Sequence, residues 1–486
     1  MSDAAREQLE AQIETLRAEN AAQAEQIERL TRVVADLKAR LDKSSKNSSL
    51  PPSSDSPRDR AEATKTRAER RAEVKEQRKD ELTRRRGKQP GAPGQNLAMR
   101  AHPDVIVEHE PTTCTSCGED LGDARVEGIE RRQVFDTPHP IVTSTEHRSL
   151  ARRCSCGNLN KGAFPREATA PTSYGPNVRA SALYLLHGQH LSVERTAEAL
   201  SAMLGVDVST GFVASLATEA AGGLVGFIDE IRQRLRSAAV VHADETSDQV
   251  RAETWWFHVA SSELYTYLFA SPTRGKSAPD EAGVLGACTG VMMHDRLAMY
   301  FKYDQSTHAV CGAHLIRDLA AVGVEPDQGW ASDMADLLSE MNTAAHDARA
   351  AGRTSLSDNQ LATFMTRYDA IVEEGLAANC APSGRTRYKI ERDAFNLASA
   401  LKKLRSEATR FAGDLHVPFS NNEAERSLRM AKLHRKVSGC FQSDDGARAF
   451  ATIRSYLATA RKHNVGALDV LAQLFRGEAW MPPSTT

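Results

Sequence analysis

Apolar residues near the start of the chain recur in alternating steps of four and three: Leu9, Ile13, Leu16, Asn20, Gln23, Ile27, Leu30, Val34, Leu37 and Leu41, with polar residues at two of these positions. A seam of that period is buried by pairing with a second helix, so residues 5–43 are predicted to form a coiled coil within a first segment, 1–43. Asn20 falls at an a position, where a buried amide sets register and favours two strands. An amphipathic helix folded onto its own protein would carry the same stripe. The periodicity stops in residues 44–57, rich in Ser, Pro and Asn, which cannot build a core and open a linker running over 44–100.

Helical spacing returns over 175–237, within a helical domain assigned to 173–238. HLSVERTAEALSAMLGVDVSTGFVASLA (190–217) reads as a helix-turn-helix, with a first helix capped at Ser192, a turn at Gly205 and a second helix beginning after Ser209 with Thr210 near its tip. A plain helical hairpin packed on the core fits the pattern nearly as well, because the second helix is poor in Lys and Arg. Alternation in VVHADET, TWWFHVA and LYTYLFA then predicts a three-stranded antiparallel meander. A helix over Ala278–Ala287 and a fourth strand ending at Asp295 should follow. The 130 residues from 295 to 425 are too many for a simple connection and carry Ala, Leu and charge at helical spacing, so 316–415 is predicted to be a helical insertion. It divides a core of 239–315 and 416–486, the latter made of a catalytic helix and C-terminal helices, and FATIRSYLATARKHNVGALDVLAQLF is read as amphipathic and helical, covering that core.

Length and composition fit this division. A chain of 486 residues with 41% apolar residues has room for two to four domains, no apolar run long enough to span a membrane, and an acidic first segment without a signal-peptide core. A cytoplasmic, nucleoid-associated protein is expected. The net charge of −2 is an average over unlike segments: residues 58–88 hold thirteen Lys or Arg against seven Asp or Glu. That run suits contact with a DNA backbone or, equally, a solvated charged arm. Within it Arg84, Arg85, Arg86 and Lys88 resemble a minor-groove arm.

Cys114 and Cys117 in CTSCG and Cys154 and Cys156 in CSCG make two thiolate pairs, each followed by the Gly that a tight knuckle turn needs. Four sulfurs satisfy tetrahedral Zn²⁺, giving a structural zinc ribbon over 101–172, with free buried thiols as the alternative. Between the pairs, VEGIERRQVFDTP and PIVTSTEHRSLARR read as strands whose exposed Arg131, Arg132, Arg148, Arg152 and Arg153 form a candidate DNA-binding face.

Three acids carry the candidate chemistry. Asp244 and Asp295 follow apolar runs, so each is expected at the end of a buried strand, where open α/β sheets place ligands. Glu425 lies just inside a predicted helix, after the capping residues Ser420, Asn421 and Asn422 and on a helix whose apolar stripe is Ala424, Leu428 and Ala431. Such a trio suits two Mg²⁺ (or Mn²⁺) ions and phosphoryl transfer. Arg429 and Lys432 share the helix face of Glu425 and, with Arg426, Arg435 and Lys436, are candidates for gripping phosphates. His308, Cys311 and His314 recur every three residues on one predicted helical stretch, which suits packing or substrate contact better than a closed metal site. His242 and His294, beside the two Asp, are expected to make ordinary buried hydrogen bonds.

VHADET, then HD followed by a Tyr and by CGAH (311–314), then NNEAERSLR with a basic tail through HRKVSG, resembles the DDE-type transposases of the insertion sequence 66 family. The linker SSKNSSLPPSSD, the RRRGKQPGAPG stretch and the cysteine pairs match in the same order. The resemblance implies an RNase H-like core within a multidomain α+β protein, Asp244, Asp295 and Glu425 as its metal-binding catalytic acids, terminal-repeat DNA and target DNA as substrates, a homodimer or higher oligomer through the coiled coil, and accessory proteins of the same element. Here Arg296 stands where that family has Gly, and Met430 where it has Pro. A DNA-binding relative without catalysis, for which Arg296 is the best support, and a nuclease that cuts without joining are the alternative readings.

Overall fold

The computed structural model describes residues 99–135, 142–165, 167–168, 170–205, 207–323, 328–379 and 389–483. The predicted coiled coil, the basic run and Arg84, Arg85, Arg86 and Lys88 lie outside them. The chain divides into two compact units, 1–135 and 136–486. In the described part of the first, an isolated antiparallel bridge joins Thr113 to Asp120 around the first cysteine pair. The second unit opens with β1 (Ala151–Arg153) paired antiparallel to β2 (Leu159–Lys161) around the second. The longer strands read between the pairs do not form among the described residues. Val126, Ile129 and Val134 remain exposed, and without a neighbouring ladder an extended run gains too little to persist as sheet.

Four helices follow: α1 (Pro176–Leu183), α2 (Val193–Leu204), α3 (Thr210–Gly223) and α4 (Val225–Arg236). The punctuation is as read. Ser192 Oγ accepts from Arg195 N, Gly205 ends α2 at φ 65°, and Ser209 Oγ accepts from Phe212 N. Val213, Leu216 and Ala220 of α3 are buried in the core that also holds Phe227, Ile231 and Leu235 of α4, so this hairpin is a packing element. Among the described residues no single helix is long and apolar enough to cross a membrane; α3 and α4 pass that test only together, across a 52° bend.

The meander forms as alternation predicts. β3 (Val240–Val250), β4 (Glu253–Ser261) and β5 (Thr266–Ser271) are antiparallel neighbours. A short α5 (Ser277–Ala282), stopped by Gly283 at φ 69°, leads to β6 (Val291–His294) and β7 (Thr307–Val310). These two run parallel to β3, giving the order β5-β4-β3-β6-β7. The period of two sorts the sheet's faces. Val241, Ala243, Ala260 and Met292 join the core with α1–α4, whereas Val250, Trp255, Phe257 and Val259 face the other way.

The predicted insertion is helical: α6 (Gly312–Val322), α7 (Gly329–Ala350), α8 (Asp358–Ala378), α9 (Lys389–Lys403) and α10 (Arg405–Gly413). It buries its own core, from Leu319, Trp330 and Leu337 to Tyr368, Leu397 and Phe411. The chain then returns to the sheet as α11 (Asn422–Ser438), whose Ala424, Leu428 and Ala431 pack on Trp255, Phe257 and Val259. Burying a Leu such as Leu428 contributes about 1.5–3 kcal/mol to that seat. The closing segment is two helices, α12 (Asp444–Lys462) and α13 (Ala467–Arg476), in keeping with the C-terminal helices expected there. Asn464, at φ 58°, turns the backbone out of the helix between them.

Candidate active site

Helix α11 lies along β3, and the pairings between them set the site. Asn421, just before the helix, meets His242 (Asn421 Oδ1 to His242 Nδ1, 2.9 Å), and Arg435 reaches Asp248 at 4.0 Å. Fourteen helical residues rise about 21 Å at 1.5 Å each, and six strand residues span about 20 Å at 3.3 Å each. The two elements therefore stay in step, and Glu425, one turn past Asn421, comes level with Asp244. On the sheet, His242 pairs with Met293, so Asp244 and Asp295, each two residues further along parallel neighbours, occupy equivalent positions on one face. All three acids are partly buried.

Their electrostatics agree. Burial, then the charge of Asp295, and then those of Glu245 and Glu425 push the Asp244 carboxyl up to about 7, against one opposing hydrogen bond from Glu245 N at 2.9 Å. Asp295 Oδ1 accepts from Leu297 N at 3.0 Å. Glu425 Oε1 is buried without a hydrogen-bond partner, and His314 Nδ1 stands 3.6 Å from it. Among the described residues none of the three acids pairs with a Lys or Arg. A concentration of negative charge that the protein leaves uncompensated suits divalent cations, which take carboxylate oxygens.

Asp244 departs from the expected position, since it sits inside β3, as its fifth residue, and not at its end. The strand continues because β4 pairs with it through Val250, whereas its parallel pairing with β6 stops at His242. Asp244 is thus at the carboxyl edge of the parallel half only. Asp295 does follow the last residue of β6.

The capping role read for Asn421 is also changed. Its side chain makes no cap hydrogen bond; Nδ2 donates to Ala243 O at 2.9 Å while its backbone N–H donates to Cys311 Sγ at 3.2 Å. It fastens the start of α11 to β3 and to the β7–α6 junction. Glu423 adds a second anchor through Lys462 of α12, 3.3 Å away. The period of two from Asp244 also marks Asp248, whose role was not read from the sequence. Glu245 and Tyr300 were missed as well. Tyr300 Oη donates to Glu245 Oε2 at 2.6 Å and Arg274 Nη2 to Oε1 at 2.9 Å, so this fourth acid, unlike the other three, has a cationic partner of its own. No local pattern links residues so far apart in sequence.

His308, Cys311 and His314 do not share a helix. His308 lies in β7, Cys311 precedes α6 and His314 is in its first turn. The strand forms because residues 307–310 find β6 as a partner. His294 Nε2 lies 3.2 Å from His308 Nδ1, and burial lowers the His294 pKa to about 3. With His242 bonded to Asn421, both histidines beside the Asp residues make the expected buried contacts. Arg296 adopts φ 81°, a conformation that favours Gly, and its guanidinium is engaged by Asp318 of α6.

Arg429, Lys432, Arg435 and Lys436 are exposed along α11, as are Arg152 and Arg153 in the second unit and Arg131 and Arg132 in the first. Arg132 and Arg148 pair with Glu130 and Glu146. Each cysteine pair forms a closed turn. Gly118 N donates to Cys114 O at 2.9 Å with Gly118 at φ 79°, and Gly157 N donates to Cys154 O at 2.9 Å with Gly157 at φ 89°. The single intervening residue of the second pair is accommodated by a turn one residue shorter. Hydrogen bonds from neighbouring backbone N–H groups and the partner cysteine hold the thiols of Cys114 and Cys154 below their ordinary pKa. The first pair lies in the first unit and the second pair in the second.

A mixed sheet packed between helices and followed by a helical insertion is consistent with a transposase-like catalytic core. The model of the transposase IS66 family matches residues 171–449, more than half of the chain, and the protein belongs to that family. A family of unknown function (DUF6444) matches residues 1–98. Two uncharacterised proteins of Sinorhizobium fredii are similar: y4hP, 24% identical over 76% of this chain and 72% of its own length, and y4qI, 23% identical over 81% and 76%. The chain is accordingly a transposase-type protein of a mobile insertion sequence.

Proposed function

We propose that this protein is a DDE transposase with an RNase H-like core that cuts the ends of its element and joins them to target DNA, using Asp244, Asp295 and Glu425. The observation that carries the reading is that the charges of both Asp295 and Glu425 act on the half-buried Asp244, while none of the three pairs with a Lys or Arg among the described residues. The strand order, an antiparallel β5-β4-β3 meander extended by parallel β6 and β7, supports the fold assignment. Two Mg²⁺ or Mn²⁺ ions held by the trio would activate the nucleophile and stabilise the leaving oxygen of an in-line displacement. In the first step water displaces the 3′ oxygen at the element's end, leaving a 3′-hydroxyl and a 5′-phosphate. In the second, that hydroxyl displaces a target-strand oxygen, which leaves as a new 3′-hydroxyl. Neither step needs a covalent protein–DNA bond.

The chain's own residues hold this geometry. Asn421 fixes Glu425 against β3, and the ion-paired Glu245 leaves the neighbouring acids to the site. Arg429 and Lys432, four and seven residues beyond Glu425, are placed to grip phosphates flanking the cut. Arg435 and Lys436 extend that surface, and Arg131, Arg132, Arg152 and Arg153 would bind the element's ends. Cys114, Cys117, Cys154 and Cys156 would hold one structural Zn²⁺, a role suited to thiols in Gly-closed turns. A coiled coil over 1–43 would bring two ends together, with accessory proteins of the element as further partners.

The test is cleavage and joining of a labelled duplex carrying the DNA ends that flank the gene, with Mg²⁺ or Mn²⁺ and the neighbouring gene products present. Wild type should cut and join, and Asp244→Asn and Glu425→Gln should lose at least about a thousandfold. Full cleavage by a folded Asp244→Asn protein would end the proposal, and cutting without joining would make it a nuclease.

A further inference from the structure

Glu425 Oε1 and His314 Nδ1 are both buried and both lack a hydrogen-bond partner, yet they face each other at 3.6 Å. That separation is too long for a hydrogen bond. Leaving two such groups unsatisfied costs on each side, so the arrangement calls for a third atom between them. Two ligand atoms on one divalent cation, each about 2.1 Å from it, can stand up to about 4.2 Å apart. Cys311 Sγ closes the cluster, with all three ligand atoms within 4.8 Å of one another.

We infer that His314 is a nitrogen ligand to the ion held by Glu425, which makes this centre a mixed nitrogen and oxygen site that prefers Mn²⁺ to Mg²⁺. The inference rests on the acidic trio being an ion centre. Its selectivity follows from ligand type: an imidazole adds affinity for Mn²⁺ and softer ions, whereas Mg²⁺ favours an all-oxygen, partly hydrated shell. The position of His314 is set by the fold. Cys311 N donates to His294 O at 2.9 Å and Gly312 N to Phe419 O at 2.8 Å, so the first turn of α6 is tied both to β6 and to the segment entering α11. Gly312 is required there, because a side chain would run into the Phe419 ring. Cys311 is the weaker candidate ligand. Its Sγ is already engaged by Asn421 N–H.

The experiment uses the full-length protein and Mn²⁺ alone, with affinity read by calorimetry and ligation by electron spin echo envelope modulation. Wild type should show nitrogen modulation from one bound imidazole. His314→Ala should lose that signal and bind Mn²⁺ at least about tenfold more weakly, with a smaller change for Mg²⁺. Where His314→Ala fails to fold, His314→Gln and the wild-type spectrum decide the matter. Mn²⁺ binding that Asp244→Asn abolishes, but that shows no nitrogen modulation in wild type, would overturn the role of His314 and leave the acidic centre standing. Mn²⁺ binding unaffected by both Asp244→Asn and Glu425→Gln would overturn both.

Discussion

Replacing Asn421 separates two accounts of how Glu425 is held. As a helix cap, Asn421 would be exchangeable for Asp or Ser, which cap equally well, within about 0.5 kcal/mol. As a tether it is not. Its side chain is fully buried and satisfies two groups on β3, His242 Nδ1 and Ala243 O, each at 2.9 Å. Asn421→Ser or Ala strands both, at about 1–3 kcal/mol each, for a loss of roughly 2–6 kcal/mol. Asn421→Asp keeps an acceptor for His242 but removes the donor to Ala243 O and sets a buried carboxylate against that carbonyl, so it should lose about 2 kcal/mol or more despite being a good cap. Urea unfolding of the full chain followed by tryptophan fluorescence reports this, because Trp255, Trp256, Trp330 and Trp480 all belong to the second unit. Cleavage should fall further than stability. A shift of about 1 Å in the start of α11 moves Glu425 relative to Asp244, and such misplacement costs on the order of a hundredfold in rate. Asp and Ser variants within 0.5 kcal/mol of wild type, with unchanged cleavage, would refute the tether.

Further outcomes follow from the same geometry. With Asp244 near 7 in the folded chain and about 3.8 unfolded, folding favours the protonated acid, so metal-free stability should fall as pH rises from about 4 to 7. Asp244→Asn should flatten that fall and be more stable than wild type above pH 7, by up to about 4 kcal/mol; parallel pH profiles would remove the basis for a crowded acidic centre. At Arg296, Gly should be more stable than Ala by about 1 kcal/mol, since the backbone is at φ 81° and both variants lose the Asp318 pair. Urea midpoints in the reverse order would contradict this. Zinc analysis of the purified protein should give one Zn²⁺ per chain, lost in Cys114→Ser and in Cys156→Ser alike. Loss in only one of them would show that the two pairs do not share an ion.

Much of the core was legible because its signals are local. Alternation gave the β3–β5 meander, Ser192, Gly205 and Ser209 gave the ends of α2 and α3, and the run into Asp295 gave β6. The apolar stripe Ala424, Leu428 and Ala431 gave the buried face of α11. Each is a period or a cap written in neighbouring residues, and local backbone preference enforces it. β7 was hidden because four residues, 307–310, have no pattern of their own and become a strand only where β6 offers hydrogen-bond partners. Of the extended runs between the cysteine pairs, Ala151–Arg153 became a strand where Leu159–Lys161 offers a partner, and the other described residues have the pattern without the partner. The site divides in the same way. Asp244, Asp295 and Glu425 were legible as types in context, but their approach depends on α11 running in step with β3 although His242 and Asn421 stand 179 positions apart in the sequence. The tether through Asn421, the ion-paired Glu245 and the facing of His314 and Glu425 were decided by tertiary structure alone. They are contacts between elements whose register is set by side-chain packing, and no periodicity in one segment encodes the position of another.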